Sequence, residues 1–272
     1  MNKKIKVGIV GFGNMGSSCA AAFSKRSQYE VFVFDSDQKK KIKTKNFQAT
    51  RNINELIAMS EIVILAIKPQ DINTFLKQNK EALLKNKPLF VSIAAGISLS
   101  WFQKHLRGMR IIRVMPNLAA KVGESLSFIS KGRNVKKSDL VKVEGLFSFI
   151  GRVVVTSEKK LDKATGVSGS GPGYVFYFMN SMYQGALRLG FTKKEAKEMV
   201  IQTFLGAAKL AKASKKEFKT LIESVASKKG TTEAALKVFE ADKLNQVIAK
   251  GMSNACRRAS EISFKLVKRE KK

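Results

Sequence analysis

The chain has 272 residues, 44% of them hydrophobic and 26% charged, enough to bury a full core and to build two domains. Its 51 Lys and Arg against 21 Asp and Glu give a formal charge of +30, but the excess is lysine spread along the whole length. No RNP, zinc-finger or helix-turn-helix signature accompanies it, so solvated lysine-rich faces are favoured over a nucleic-acid site.

Two cysteines, Cys19 and Cys256, make neither a disulfide framework nor a zinc site, and a reducing cytoplasm fits them. The basic, then apolar N-terminus imitates a signal peptide, but Gly8, Gly11, Gly13 and Gly16 break its apolar stretch. With no long apolar run, no membrane-spanning helix is expected.

In chain order, Lys4–Val10 reads as a short buried strand and Asn14–Phe23 as the helix after a glycine turn. Further strands are expected at Tyr29–Asp35, Ile62–Ile67, Leu89–Ile93 and Arg110–Met115. Helical patterns fall between them at Asn52–Met59, Asp71–Leu84 and Leu99–Leu106. This alternation predicts a Rossmann-type α/β domain, a doubly wound parallel sheet built of βαβ units. Ser125–Ile129 and Arg152–Val155 look like additional strands, with Ser138–Ile150 helical between them. After Glu158 strand-like runs disappear, and helices are predicted at Pro172–Leu189, Thr192–Ala213, Lys216–Ser227, Thr231–Glu240 and Asp242–Lys265. The expected division is therefore 1–157 for dinucleotide binding and 158–272 for an all-α domain. Val175, Phe176, Phe178, Met179 and Met182 crowd more than one face of the first of these helices, which calls for burial in a bundle or against a second subunit.

Gly11-Phe12-Gly13-Asn14-Met15-Gly16 follows a strand and opens a helix, the context a dinucleotide fingerprint requires. Gly11 allows the turn, Gly13 lets the backbone approach a pyrophosphate, and Gly16 permits close packing of helix on strand. Asp35, 19 residues after Gly16, stands where a carboxylate accepts from a ribose 2′-OH and points to NAD; Lys39, Lys40 and Lys41 are near enough to reverse that preference. The cofactor is thus NADPH or NADH. Ala66, Lys68 and Pro69 end the third strand and Met115, Pro116 and Asn117 the fifth, at the carboxyl rim where ligands sit in such sheets. The Asn117 amide is placed to orient a nicotinamide or substrate. Val167-Ser168-Gly169-Ser170-Gly171-Pro172 is either a place of close approach for cofactor or a packing turn.

In the helical half, Gly230 frees the backbone at the start of a helix, and unpaired N–H groups there suit a carboxylate. Ser227, Thr231 and Thr232 add hydroxyls; the plain alternative is N-capping by a threonine. The single histidine, His105, has no motif around it, and neither a Ser-His-Asp triad nor a metal cluster can be assembled. A site of hydroxyls and amides suits reduction of an imine, whose basic nitrogen arrives protonated, better than that of a ketone.

These segments, together with Val91–Gly96, Arg113–Asn117 and Val122–Glu124, resemble the pyrroline-5-carboxylate reductase family through nearly the whole chain. The resemblance implies NAD(P)H-dependent reduction of L-1-pyrroline-5-carboxylate to L-proline by a homodimer or larger homo-oligomer. It also implies a helical domain that interleaves with a partner subunit. By position, Ser227, Gly230, Thr231 and Thr232 would hold the substrate, Thr232 and Lys68 would serve catalysis, and Lys68, Met115, Pro116 and Asn117 would line the nicotinamide. Two departures stand out. Leu118-Ala119-Ala120 replaces the family's Thr-Pro-Ala, and Lys228-Lys229 replaces a Pro-Gly pair, which places two cations beside the carboxylate nest. The alternatives are a related reductase of another cyclic imine or hydroxy acid, and a non-catalytic nucleotide-sensing or nucleic-acid-binding module suggested by the charge.

Overall fold

The computed structural model describes residues 3–37 and 46–269, with side chains up to Glu261; Lys39, Lys40 and Lys41 lie outside the described residues. Among the described residues eight strands form one sheet in the order β3-β2-β1-β4-β5-β6-β7-β8. They are β1 Ile5–Val10, β2 Tyr29–Phe34, β3 Gln48–Ala49, β4 Ile62–Leu65, β5 Leu89–Ser92, β6 Ile111–Met115, β7 Ser125–Lys131 and β8 Gly151–Val155. The helices among them are α1 Asn14–Phe23, α2 Ile53–Met59, α3 Ile72–Asn86, α4 Leu99–His105, α5 Lys137–Phe147 and α6 Glu158–Ala164.

Alternate residues of each central strand serve opposite layers. Val7, Ile9, Ile62, Ile64 and Val91 pack with Phe23 of α1 and Phe147 of α5. Val10, Val63, Leu65 and Phe90 pack with Leu56, Leu76 and Phe102 of α2, α3 and α4. Burial on both faces explains why these strands read as continuous apolar runs.

The expectation of a parallel sheet needs one correction: β7 runs antiparallel to β6. The link between them holds only a 3-10 turn, Leu118–Val122, and a parallel crossover needs a longer connection.

The described residues divide into two compact units, one up to Ser170 together with the chain from Asn254 onward, the other Gly171–Ser253. The expected boundary after 157 therefore falls inside the first unit. Helix α6, which the sequence reading passed over, belongs there because Leu161 is 1% exposed and Arg113 of β6 pairs with its carboxylates. Cys256 donates its thiol to the Lys163 carbonyl at 3.4 Å, within that same unit.

The second unit contains α7 Gly171–Arg188, α8 Lys193–Ala213, α9 Phe218–Val225, α10 Thr231–Ala241 and the first part of α11 Leu244–Arg269. Thr192 and Glu195 close the expected capping box on α8. Ala186, Ala196 and Val200 are buried, whereas Phe176 is 57% and Tyr177 71% exposed.

Candidate active site

The carboxyl ends of β1, β2 and β4 meet at the glycine turn. Gly11 takes φ +100°, and a Cβ there would lie 2.6 Å from the Ala66 carbonyl oxygen. At Gly16 a Cβ would lie 2.0 Å from the Gly11 carbonyl oxygen, so only glycine lets α1 close on the strand. A Cβ at Gly13 would meet nothing within 4 Å, and the space over that backbone is open. Gly13 is the N-cap of α1, no side chain caps it, and the first turn carries no acid. Bare amides below an open space fit a pyrophosphate. Beside them a cleft of about 730 Å³ is lined by Gly11, Gly13, Asp35, Ala66 and Lys68. The residues present fit a dinucleotide.

Asp35 stands at the end of β2 as expected, and its carboxylate has an additional task. Oδ2 accepts the Phe12 N–H at 2.6 Å and Oδ1 the Asp37 N–H at 2.9 Å, so it holds the glycine turn to the strand. Lys121, which no local motif marked, reaches Asn14 Oδ1 at 3.0 Å and places a cation beside the first residue of α1.

The rim after β6 is braced from within. The Asn117 amide nitrogen donates to Ser168 O at 3.1 Å and to Ser168 Oγ at 3.2 Å, while its Oδ1 accepts the Ala119 N–H at 3.1 Å. The amide that the sequence offered for orienting a nicotinamide is thus engaged inside the protein. Ser168 and Gly169 belong to a π-helical turn, Thr165–Gly169, and so serve as a packing turn against the rim.

In the helical unit, Gly230 is the N-cap of α10 and no side chain caps it; Thr231 and Thr232 occupy the first turn. Plain threonine capping is not what this helix start does. Gly230 itself is extended at φ −84°, ψ 171°, and the left-handed conformation falls on Lys229 at φ +61°. Space, not backbone freedom, requires the glycine: a Cβ at Gly230 would lie 2.9 Å from the Ser227 carbonyl oxygen. The Glu233 carboxylate turns back to accept the Lys229 N–H at 2.5 Å.

The family described as "Pyrroline-5-carboxylate reductase dimerisation" matches residues 158–262, and that described as "NADP oxidoreductase coenzyme F420-dependent" matches residues 6–96. The pyrroline-5-carboxylate reductase of Methanosarcina acetivorans is 35% identical, the alignment covering 97% of this chain and 98% of the relative. The chain belongs to the pyrroline-5-carboxylate reductase family. The Synechocystis reductase is 32% identical over 96% of this chain and 99% of its own length. Among solved structures, Plasmodium falciparum pyrroline carboxylate reductase with NADP bound superposes with a TM-score of 0.88 at 25% identity, covering 96% of this chain and 99% of that one.

As a pyrroline-5-carboxylate reductase family member, the chain is an oxidoreductase with a Rossmann-type domain and a helical dimerisation region. Helix α7, whose apolar Val175, Phe176, Tyr177 and Met182 are exposed in the single chain, lies within the matched residues 158–262. No helix among the described residues is long and apolar enough to cross a membrane.

Proposed function

We propose that this protein reduces L-1-pyrroline-5-carboxylate to L-proline with NADPH or NADH, as a homo-oligomer in the cytoplasm. The observation that carries the reading is the uncapped start of α10, with two threonines in its first turn and the Ser227 hydroxyl over Gly230. The amides of this turn and the hydroxyls of Ser227 and Thr231 hold the substrate carboxylate. Thr232 hydrogen-bonds the ring nitrogen, which arrives protonated and retains its proton as the carbon beside it takes up hydride.

In the sheet domain, Gly11, Phe12, Gly13, Asn14, Met15 and Gly16 hold the pyrophosphate, and Asp35 borders the adenosine ribose. When bound, the reduced nicotinamide supplies the hydride. Ala66, Lys68, Pro69, Met115, Pro116 and Asn117 form the rim that receives its ring, with the Lys68 ammonium supplying positive charge near the reacting groups. No residue needs to be deprotonated for the step, and positioning with preorganised donors supplies most of the rate.

Oxidation of NADPH and of NADH in the presence of the pyrroline tests the reading directly. Thr232→Ala with Gly230→Val is expected to lower kcat/KM by roughly two orders of magnitude, the scale of losing one preorganised donor. Wild-type turnover in that double variant would remove the site assignment.

A further inference from the structure

Three residues of β6 and its continuation, Arg113, Met115 and Asn117, all meet the segment from α6 to Gly169. Arg113 is 2% exposed, and its guanidinium reaches Glu158 Oε1 at 2.5 Å and Asp162 Oδ1 at 2.9 Å. The same Glu158 oxygen accepts the Leu99 N–H at 2.6 Å, so the start of α4 is tied into the anchor. Further along the segment, a Cβ at Gly169 would lie 2.9 Å from the Met115 methyl carbon. At the end of the row, Asn117 is held by Ser168 as described. Strand residues two apart share a face, as Arg113 and Met115 do.

The wide π turn is what brings this row into step. Such turns are uncommon and recur at functional sites, because the extra residue re-aims the backbone that follows. Here it turns Ser168 toward Asn117 and sets a residue without a side chain against Met115. The Ser168–Gly169 part of this motif therefore acts on the rim.

We propose that the turn Thr165–Gly169 sets the position of the nicotinamide-facing rim, with Ser168 and Gly169 as positioning residues and the Arg113 ion pairs as the anchor of the turn. The inference rests on the reading of Met115–Asn117 as that rim. A methyl group at Gly169 displaces the Met115 side chain, the free end of a flexible chain, so Gly169→Ala should fold. Ser168→Ala removes one acceptor from the Asn117 amide and leaves the carbonyl contact in place.

The experiment measures, for wild type and both variants, the dissociation constant of NADPH by fluorescence titration, kcat with the pyrroline, and the primary isotope effect with 4-deuterated NADPH. A positioning role predicts that kcat falls about tenfold in Gly169→Ala, the scale of a small misplacement at a reacting centre. The isotope effect on kcat rises as hydride transfer becomes slower than product release, while NADPH binding changes less than about threefold. A merely structural role lowers the active fraction and leaves the isotope effect of the active molecules at the wild-type value, which would overturn the proposal. The proposed function fails separately, if wild type binds NADPH but forms no proline.

Discussion

The Phe12 N–H donates to Asp35 Oδ2 at 2.6 Å, joining the second residue of the glycine fingerprint to the acid that closes it. The carboxylate therefore shapes the glycine turn itself, a task separate from the ribose contact proposed for it. Asp35→Asn is expected to weaken NADH and NADPH binding by similar factors, roughly tenfold each, because a charge-assisted bond to a backbone amide is exchanged for a weaker one. Titration of both cofactors decides it. A change confined to one of them would assign Asp35 to ribose reading alone.

Lys229 holds φ +61°, in the left-handed region that favours glycine. A side chain in that conformation carries strain that glycine does not, partly offset by glycine's greater freedom when unfolded. Lys229→Gly should stabilise the protein by about 0.5–1 kcal/mol in urea unfolding at fixed protein concentration. Gly230→Ala should destabilise it by about 1–3 kcal/mol, since the new methyl group meets the Ser227 backbone.

Burial pushes the Cys19 thiol up to about 12. The folded state thus keeps the proton that the unfolded chain releases near pH 8.5. Below that pH the contribution to stability is complete; above it stability declines, by at most about 1.4 kcal/mol per pH unit, until the folded pKa is passed. Cys19→Ala should flatten this alkaline slope. In native protein near pH 8, iodoacetamide should leave Cys19 unmodified, as mass spectrometry of its peptide would show.

Phe176 on α7 is 57% exposed in the single chain, among other apolar side chains. A carboxylate set in a covered apolar surface has to be desolvated without a partner. Phe176→Asp should move the solution mass by light scattering toward the 30.1 kDa of one chain. Retention of the wild-type mass would place the subunit contact on other helices.

Much of this architecture was local enough to read. Asn14–Phe23 came out with the bounds expected of it, because a glycine turn, a period-3.6 apolar face and the start of the helix all lie within neighbouring residues. The Thr192–Glu195 capping box was legible for the same reason. The positions of Asp35 and of the Gly-Thr-Thr helix start followed from spacing and composition.

Other features depend on partners far along the chain. The sequence offers the Asn117 amide to a ligand, and only the fold shows that it also donates to Ser168, 51 residues away. Nothing local assigns Arg113 a partner, and only the fold buries it between Glu158 and Asp162. The reversal of β7 and the attachment of α6 to the sheet domain have the same origin. Composition, periodicity and turn chemistry act within a few residues, so they settle most of the strands and helices and where the glycine turn and the start of α10 lie. Which polar groups are left to meet a ligand is settled by tertiary packing, because a buried donor or charge must find its partner wherever the folded chain brings one within reach.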